Sequence, residues 1–270
     1  MSAETGNLTG VSRSSSVNAL TEEAPAIRRV AFDAPWHWLA AGWNDLWSAP
    51  QISLVYGAAF SVAAYLLTLG LMNAGTLPLI LPLAGMFLLV GPLLAIGLYE
   101  ISRKRESGEA ANFAGIAHAA WAARRRLALF GMLLLIINLT WVLVALLLFM
   151  LFFGAADIPP MDAFIPVLLF APHGVGLLVT GTLAGAVLAA ITYAVSVISV
   201  PMILDRKIDA ISAAAASVRA VRLNLPAMAL WAALIAGLSA LGLVTLFVGL
   251  AIAFPLIGHA TWHAYRDLTH

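Results

Sequence analysis

The chain has 270 residues, 62% of them hydrophobic and 10% charged, with a mean hydropathy of +0.97. Soluble domains hold roughly 45–50% apolar and about 25% charged residues, so this chain has too little polar surface to cover itself in water. Its 14 Lys and Arg against 13 Asp and Glu leave a formal net charge of +1, and the absence of cysteine excludes disulfides, thiolate catalysis and thiolate metal sites.

Residues 1–27 are polar, rich in Ser, Thr, Glu and Ala, and lack the apolar core of a cleaved signal peptide; they read as a disordered cytoplasmic tail. From 28 to 268 the chain reads as a single membrane domain. Asp33 is placed to cap a first helix and Pro35 suits its first turn. At about 100° per residue Trp36, Leu39, Ala40, Trp43 and Trp47 share one face while Trp38 and Asp45 point away, the pattern of an in-plane helix with indoles at headgroup depth. An aromatic ligand box is the sharper alternative, and ordinary tryptophan belts explain the same residues.

Charge is absent from Gln51 to Tyr99, Leu127 to Ala156, Ala163 to Leu204 and Leu223 to Tyr265. Each gap exceeds the ~20 apolar residues that cross a bilayer. The first span runs about 51–73 and turns through Asn73-Ala74-Gly75-Thr76 into the second, 77–101, which Arg103-Lys104-Arg105 terminate. An amphipathic stretch from Glu109 to Arg126 follows, with Phe113, Ile116, Ala117 and Ala120 on one face, His118 on the other, and Arg124, Arg125 and Arg126 at its end. Span three is 127–153. Residues 154–174 carry four prolines and two aspartates, too broken for a span and too apolar for a free loop, and read as a partly embedded segment.

Span four, 175–204, is long enough to tilt or project, and Gly181, Ala184, Gly185 and Ala189 give it a small-residue stripe. A third amphipathic segment occupies 209–225. The uncharged 40 residues from Pro226 to Tyr265 would make one helix about 60 Å long, twice a ~30 Å hydrocarbon core. Two spans, about 226–243 and 247–265, turning near Gly242 to Gly249, are the better reading. The fold class is therefore all-α, a polytopic membrane protein of six transmembrane helices, in which surface helix, span, loop, span recurs as three hairpin modules. All 14 basic residues fall on one side of it and the opposite loops carry only Asp157 and Asp162, so the positive-inside rule places both termini in the cytoplasm.

The stretches VPMILDRKIDA, GPLLAIGLYEISR, FDAPWHWLAAGWNDLW and PLIGHATWHAYRDL resemble an uncharacterised bacterial family of integral membrane proteins, domain of unknown function 2189. The layout is similar, more loosely, to the membrane domain found beside some glycerophosphodiester phosphodiesterases. The first resemblance implies a six-span fold in the bacterial inner membrane and carries no activity.

His259 and His263 are one turn apart on the last span, a spacing that can share a metal, with Glu100 or Asp205 as a third ligand. Polar groups resting at headgroup depth are the simpler explanation, and it suits His173, His118, His37 and His270 as well. A haem-bearing oxidase subunit needs axial histidines on facing helices at membrane depth, and spans one to five hold none between their ends. Metalloprotease, nucleophile-elbow and phosphate-loop motifs are absent, as is an ionisable residue at mid-membrane of the kind that marks transporters. Asn138, Thr140, Thr180 and Thr182 are the polar residues within spans, and helix packing accounts for them.

The sequence therefore leads to a non-enzymatic membrane protein with a membrane-organising, lipid-interacting or partner-binding role, without cofactor or metal. The bilayer, including anionic lipids, is its partner; with no soluble basic domain, nucleic acid is not. The membrane-interface candidates are Trp36, Trp43, Trp47, Arg124, Arg125 and Arg126. The rival class is a permease component for a small neutral or lipid-like substrate, suggested by the repeat and by the Gly and Pro breaks in the spans.

Overall fold

Proline, asparagine and aspartate set the helix starts. Pro35, Pro50, Pro172 and Pro226 each lie in the first turn of a helix, where a missing N–H costs nothing, and the side chains of Asn112 and Asp209 cap two more. The computed structural model describes residues 25–74, 91–154, 160–206 and 208–270. They form helices α1 (Ala34–Ser48), α2 (Pro50–Asn73), α3 (Gly91–Leu94), α4 (Ile96–Glu106), α5 (Phe113–Phe153) and α6 (Met161–Phe170). The chain continues as α7 (Pro172–Ser196), α8 (Ser199–Asp205), α9 (Ala210–Leu223), α10 (Leu225–Val244) and α11 (Leu250–Thr269), with no strand among the described residues. The polar tail up to residue 24, the first part of the expected second span, the stretch with Asp157 and Lys207 lie outside those residues.

Among the described residues, four segments are long and apolar enough to cross a membrane: α2, α5, the α7–α8 pair and α10. The expected sixth span coincides with α11, which is not among the four, because His259, His263, Arg266 and Asp267 lower its hydropathy. The expected amphipathic helix 109–126 and third span are one unbroken helix of 41 residues, about 60 Å long. Nothing between Arg124 and Phe130 breaks a helix, since Arg, Leu and Ala are all good helix formers. This departs from the hairpin repeat, in which surface helix and span are separate. Span four does break, at Val197-Ile198: Pro201 has no N–H for the carbonyl of Val197, and α8 starts afresh at Ser199. In the 154–174 connection α6 folds back on α7, where a side chain on Gly174 would collide with the backbone of Val167 and Leu168.

The core is organised around α11. His259, Ala260, Trp262, Ala264, Tyr265 and Leu268 of this helix are fully buried, against Trp38 and Leu46 of α1, Leu98 and Ile101 of α4, Met202 and Ile203 of α8, and Trp231 of α10. Glycine permits the close approaches. An ideal Cβ on Gly42 of α1 would lie 2.6 Å from the Ala260 nitrogen, one on Gly258 2.5 Å from the Leu98 side chain, and one on Gly57 of α2 would overlap the Ala251 carbonyl. Aromatic contacts extend this seam, with Phe60 stacked on Phe254 at 3.8 Å and Tyr65 edge-on to Phe247 at 6.5 Å. Ser53 meets His259, Phe60 meets Phe254 and Tyr65 meets Phe247 of the preceding turn, so α2 and α11 run antiparallel over about 18 Å. Residues 245–249 turn α10 into α11 with Leu246 and Phe247 in the left-handed region, where the sequence places the turn.

Candidate functional site

The polar residues of the fold collect where α1, α4, α8 and α11 meet. Asp45, on the face of α1 opposite its exposed tryptophans, has a side chain only 5% exposed. Its two oxygens are divided between two donors: Oδ1 accepts from Arg105 Nη1 of α4, and Oδ2 lies 2.8 Å from His263 Nε2 of α11. A carboxylate can only accept, so His263 donates from Nε2. Burial acts to raise the Asp45 carboxyl's pKa, and the hydrogen bonds it accepts from His263 and Ser102 outweigh it and hold the group below the usual carboxylate range.

One turn deeper, His259 is fully buried, its Nε2 3.0 Å from Ser53 Oγ of α2 and its Nδ1 2.8 Å from Ser102 Oγ of α4. Hydroxyls donate or accept as required, so a neutral imidazole is satisfied in either tautomer without a charged neighbour in contact. On the outer flank of α11, Glu106 accepts from Trp262 Nε1 at 3.1 Å and Arg266 Nε at 2.9 Å, and Asp205 accepts from the Tyr265 hydroxyl at 2.7 Å. His270 Nε2 accepts from Arg206 and Arg266, and burial together with these two guanidinium groups depresses its pKa. The N-terminal segment is tied to the same body: Asn224 accepts from Val30 N and donates to Arg28 O, while Arg28 N donates to Leu268 O.

The four residues considered as metal ligands do not converge. His259 faces two serines, His263 faces Asp45, both oxygens of Glu100 are taken by Arg103 at 2.7 and 2.8 Å, and Asp205 serves Tyr265. The described residues hold no trio of His, Asp or Glu side chains arranged for a metal ion. Trp36, Trp43 and Trp47 are exposed at 55%, 47% and 49%, on the face the helical wheel assigns them, and Arg124 and Arg125 are exposed with Arg126 half-buried. Arg124 lies over the Trp121 ring at 4.3 Å. Within the spans, Asn138, Thr140 and Thr180 each donate to a carbonyl one turn earlier in their own helix.

Sequence reasoning missed Ser53, Ser102, Asp45 and Arg105 as partners of the two histidines. The available signal was Asp45 itself, a carboxylate on the face of α1 turned away from its tryptophans, next to which a buried helix must supply a cation.

Two clefts open at this end. One, of about 300 Å³, is lined by Arg103, Glu106, Ser107, Asp205, Trp262 and Arg266, whose charges are paired with one another or with Glu100. The other, of about 490 Å³, lies between α4, the first turns of α5 and α8. Neither is lined by Asp45, His259 or His263.

No curated protein and no solved structure matches the chain. Residues 79–205 match the sequence model of a family described as predicted integral membrane protein (DUF2189), and this interval holds GPLLAIGLYEISR and the VPMILD start of another of the four stretches that carry the resemblance. The chain's likeness to the DUF2189 family of predicted integral membrane proteins thus covers residues 79–205, just under half of its length.

Proposed function

We propose that this is a non-enzymatic protein of the bacterial inner membrane, with six spans and both termini in the cytoplasm, that organises the membrane by binding lipid. The observation that carries this reading is the division of its surfaces. The concentrated polar side chains around Asp45, His259 and His263 satisfy one another inside the protein, while only 11% of the apolar window of α5 and 22% of that of α10 is buried. Reactive groups turned inward and long apolar helices turned outward suit contact with lipid better than chemistry on a dissolved substrate. The antiparallel pairing of α11 with α2 supports a sixth span, because a helix shielded by apolar neighbours tolerates histidines that lipid would not.

The natural chain lacks cysteine, so single cysteines report topology without background. A membrane-impermeant maleimide applied to intact cells is expected to label Val248→Cys, at the α10–α11 turn, and to reach Arg125→Cys and His270→Cys only after the membrane is opened. Labelling of Arg125→Cys from outside would overturn the topology. The role is tested separately by native mass spectrometry of protein released from membranes: phospholipid that survives release is the expected result, and a lipid-free spectrum in mild detergent refutes it.

A further inference from the structure

The 490 Å³ cleft is of the size of small-ligand pockets, and its walls carry more positive charge than the protein neutralises. Its floor is Gly115, Ala119, Ala122 and Ala123, side chains too small to fill it. Around that floor stand Arg103, Lys104, Arg126 and His118, against two carboxylates, Glu100 and Glu109. Glu100 is buried and wholly engaged by Arg103. Glu109 lies 3.9 Å from the Lys104 ammonium, a long pair whose carboxylate is 66% exposed. Among the described residues no carboxylate pairs with Arg126, whose Nη1 reaches only the Arg206 carbonyl at 3.4 Å.

The Lys104 ammonium is also held in an unfavourable place. It lies so close to Gly115 that a Cβ there would be 2.7 Å from Nζ, against the first turn of α5, where the helix dipole repels a cation. A negative charge in the cleft relieves that repulsion and gives Arg126 a partner. Position identifies the source of the charge. Arg126 is the last charged residue before the uncharged run from Leu127, and Trp121, just over one turn before it on α5, is exposed, the residue pattern of the lipid headgroup zone.

We propose that the cleft between α4, the first turns of α5 and α8 binds the headgroup of an anionic phospholipid, with its phosphate on Arg126 and the Lys104 ammonium at the other end of the cleft. The inference rests on the lipid-interacting reading above and adds the site to it.

The test is native mass spectrometry of the full-length protein in detergent, titrated with phosphatidylglycerol or phosphatidylcholine, with and without inorganic phosphate. The wild type is expected to prefer phosphatidylglycerol. Arg126→Gln and Lys104→Gln are each expected to weaken that binding about fivefold, while Arg219→Gln, which removes an exposed charge outside the cleft, leaves it unchanged. Displacement by inorganic phosphate supports recognition of the phosphate group itself; undisturbed preference in its presence supports recognition of the whole headgroup. No preference in the wild type, or equal losses from Arg219→Gln and Arg126→Gln, overturns the site. Equal losses leave the lipid-interacting role standing, as attraction spread over the basic surface. Arg126→Lys keeps the charge and is expected to keep the preference, and matching Tm values across the variants exclude misfolding as the cause.

Discussion

Asp45 ties three helices together: it stands on α1, and its two partners come from α4 and α11. Removing one member of a buried ion pair leaves the others desolvated and costs about 3–5 kcal/mol, and here about 3 kcal/mol, since Arg105 and His263 retain 35% and 27% exposure. Asp45→Ala is therefore expected to lower Tm in detergent by roughly 6–12 °C. The pH dependence has a defined sign. A carboxyl whose folded pKa lies below its unfolded value of about 3.9 stabilises fully above that value and loses the contribution as pH falls through the depressed one. Tm of the wild type should thus fall on acidification below about pH 4, and Asp45→Asn should flatten that fall. An unchanged acid limb in Asp45→Asn would remove Asp45 from this role. The two histidines were visible in the sequence as an i, i+4 pair, but not their separate destinations: Ser53 is 206 residues from His259 and Asp45 is 218 from His263. Periodicity fixes a direction on one helix and says nothing of which distant helix supplies the partner.

At the scale of the helices, packing in lipid draws little from hydrophobic burial, since lipid is as apolar as the side chain; close van der Waals contact decides it. Gly57 and Gly181 separate what sequence leaves joined. Both are helical glycines in apolar spans, yet a Cβ on Gly57 meets the Ala251 backbone and the Pro255 ring, whereas one on Gly181 has nothing within 4 Å. Gly57→Ala forces α2 from α11 and is expected to destabilise by about 1–3 kcal/mol, with a lower Tm and a poorer yield of folded protein. Gly181→Ala is expected to be neutral or to stabilise by up to about 1 kcal/mol, as alanine does in an unobstructed helix. Equal Tm losses for the two would contradict the α2–α11 seam. Of the small-residue stripe read from sequence, Gly185 packs against Trp141, while Gly181 meets nothing within 4 Å among the described residues. The same limit hid the continuity of α5. The charge change at Arg126 marks where the helix leaves its polar surroundings, and a change of solvent does not require a change of conformation.

At the scale of the whole molecule, hydropathy identifies helices that face lipid and overlooks one that faces protein. The apolar runs at α2, α5, α7 and α10 were legible for that reason. The last helix was read as a span from the length of the uncharged run alone, and its place at the centre was not legible, because the polar residues of its buried end, His259 among them, read as groups at headgroup depth. This difference can be measured by amide exchange in detergent. Two segments at the polar end are comparable in exposure to water on composition: residues 259–268 of α11, with two histidines, an arginine and an aspartate, and residues 113–126 of α5, with three arginines and a histidine. Their packing is opposite. Most of the first set is buried under α1, α4, α8 and α10, and of the second only Ala123 is buried. Exchange follows the free energy of local opening, which rises with buried contacts. An opening cost greater by about 3 kcal/mol slows exchange about hundredfold, so 259–268 is expected to lag 113–126 by at least that factor. Equal exchange of the two would mean that α11 is a peripheral helix, and the buried arrangement around His259 and Asp45 would fall with it.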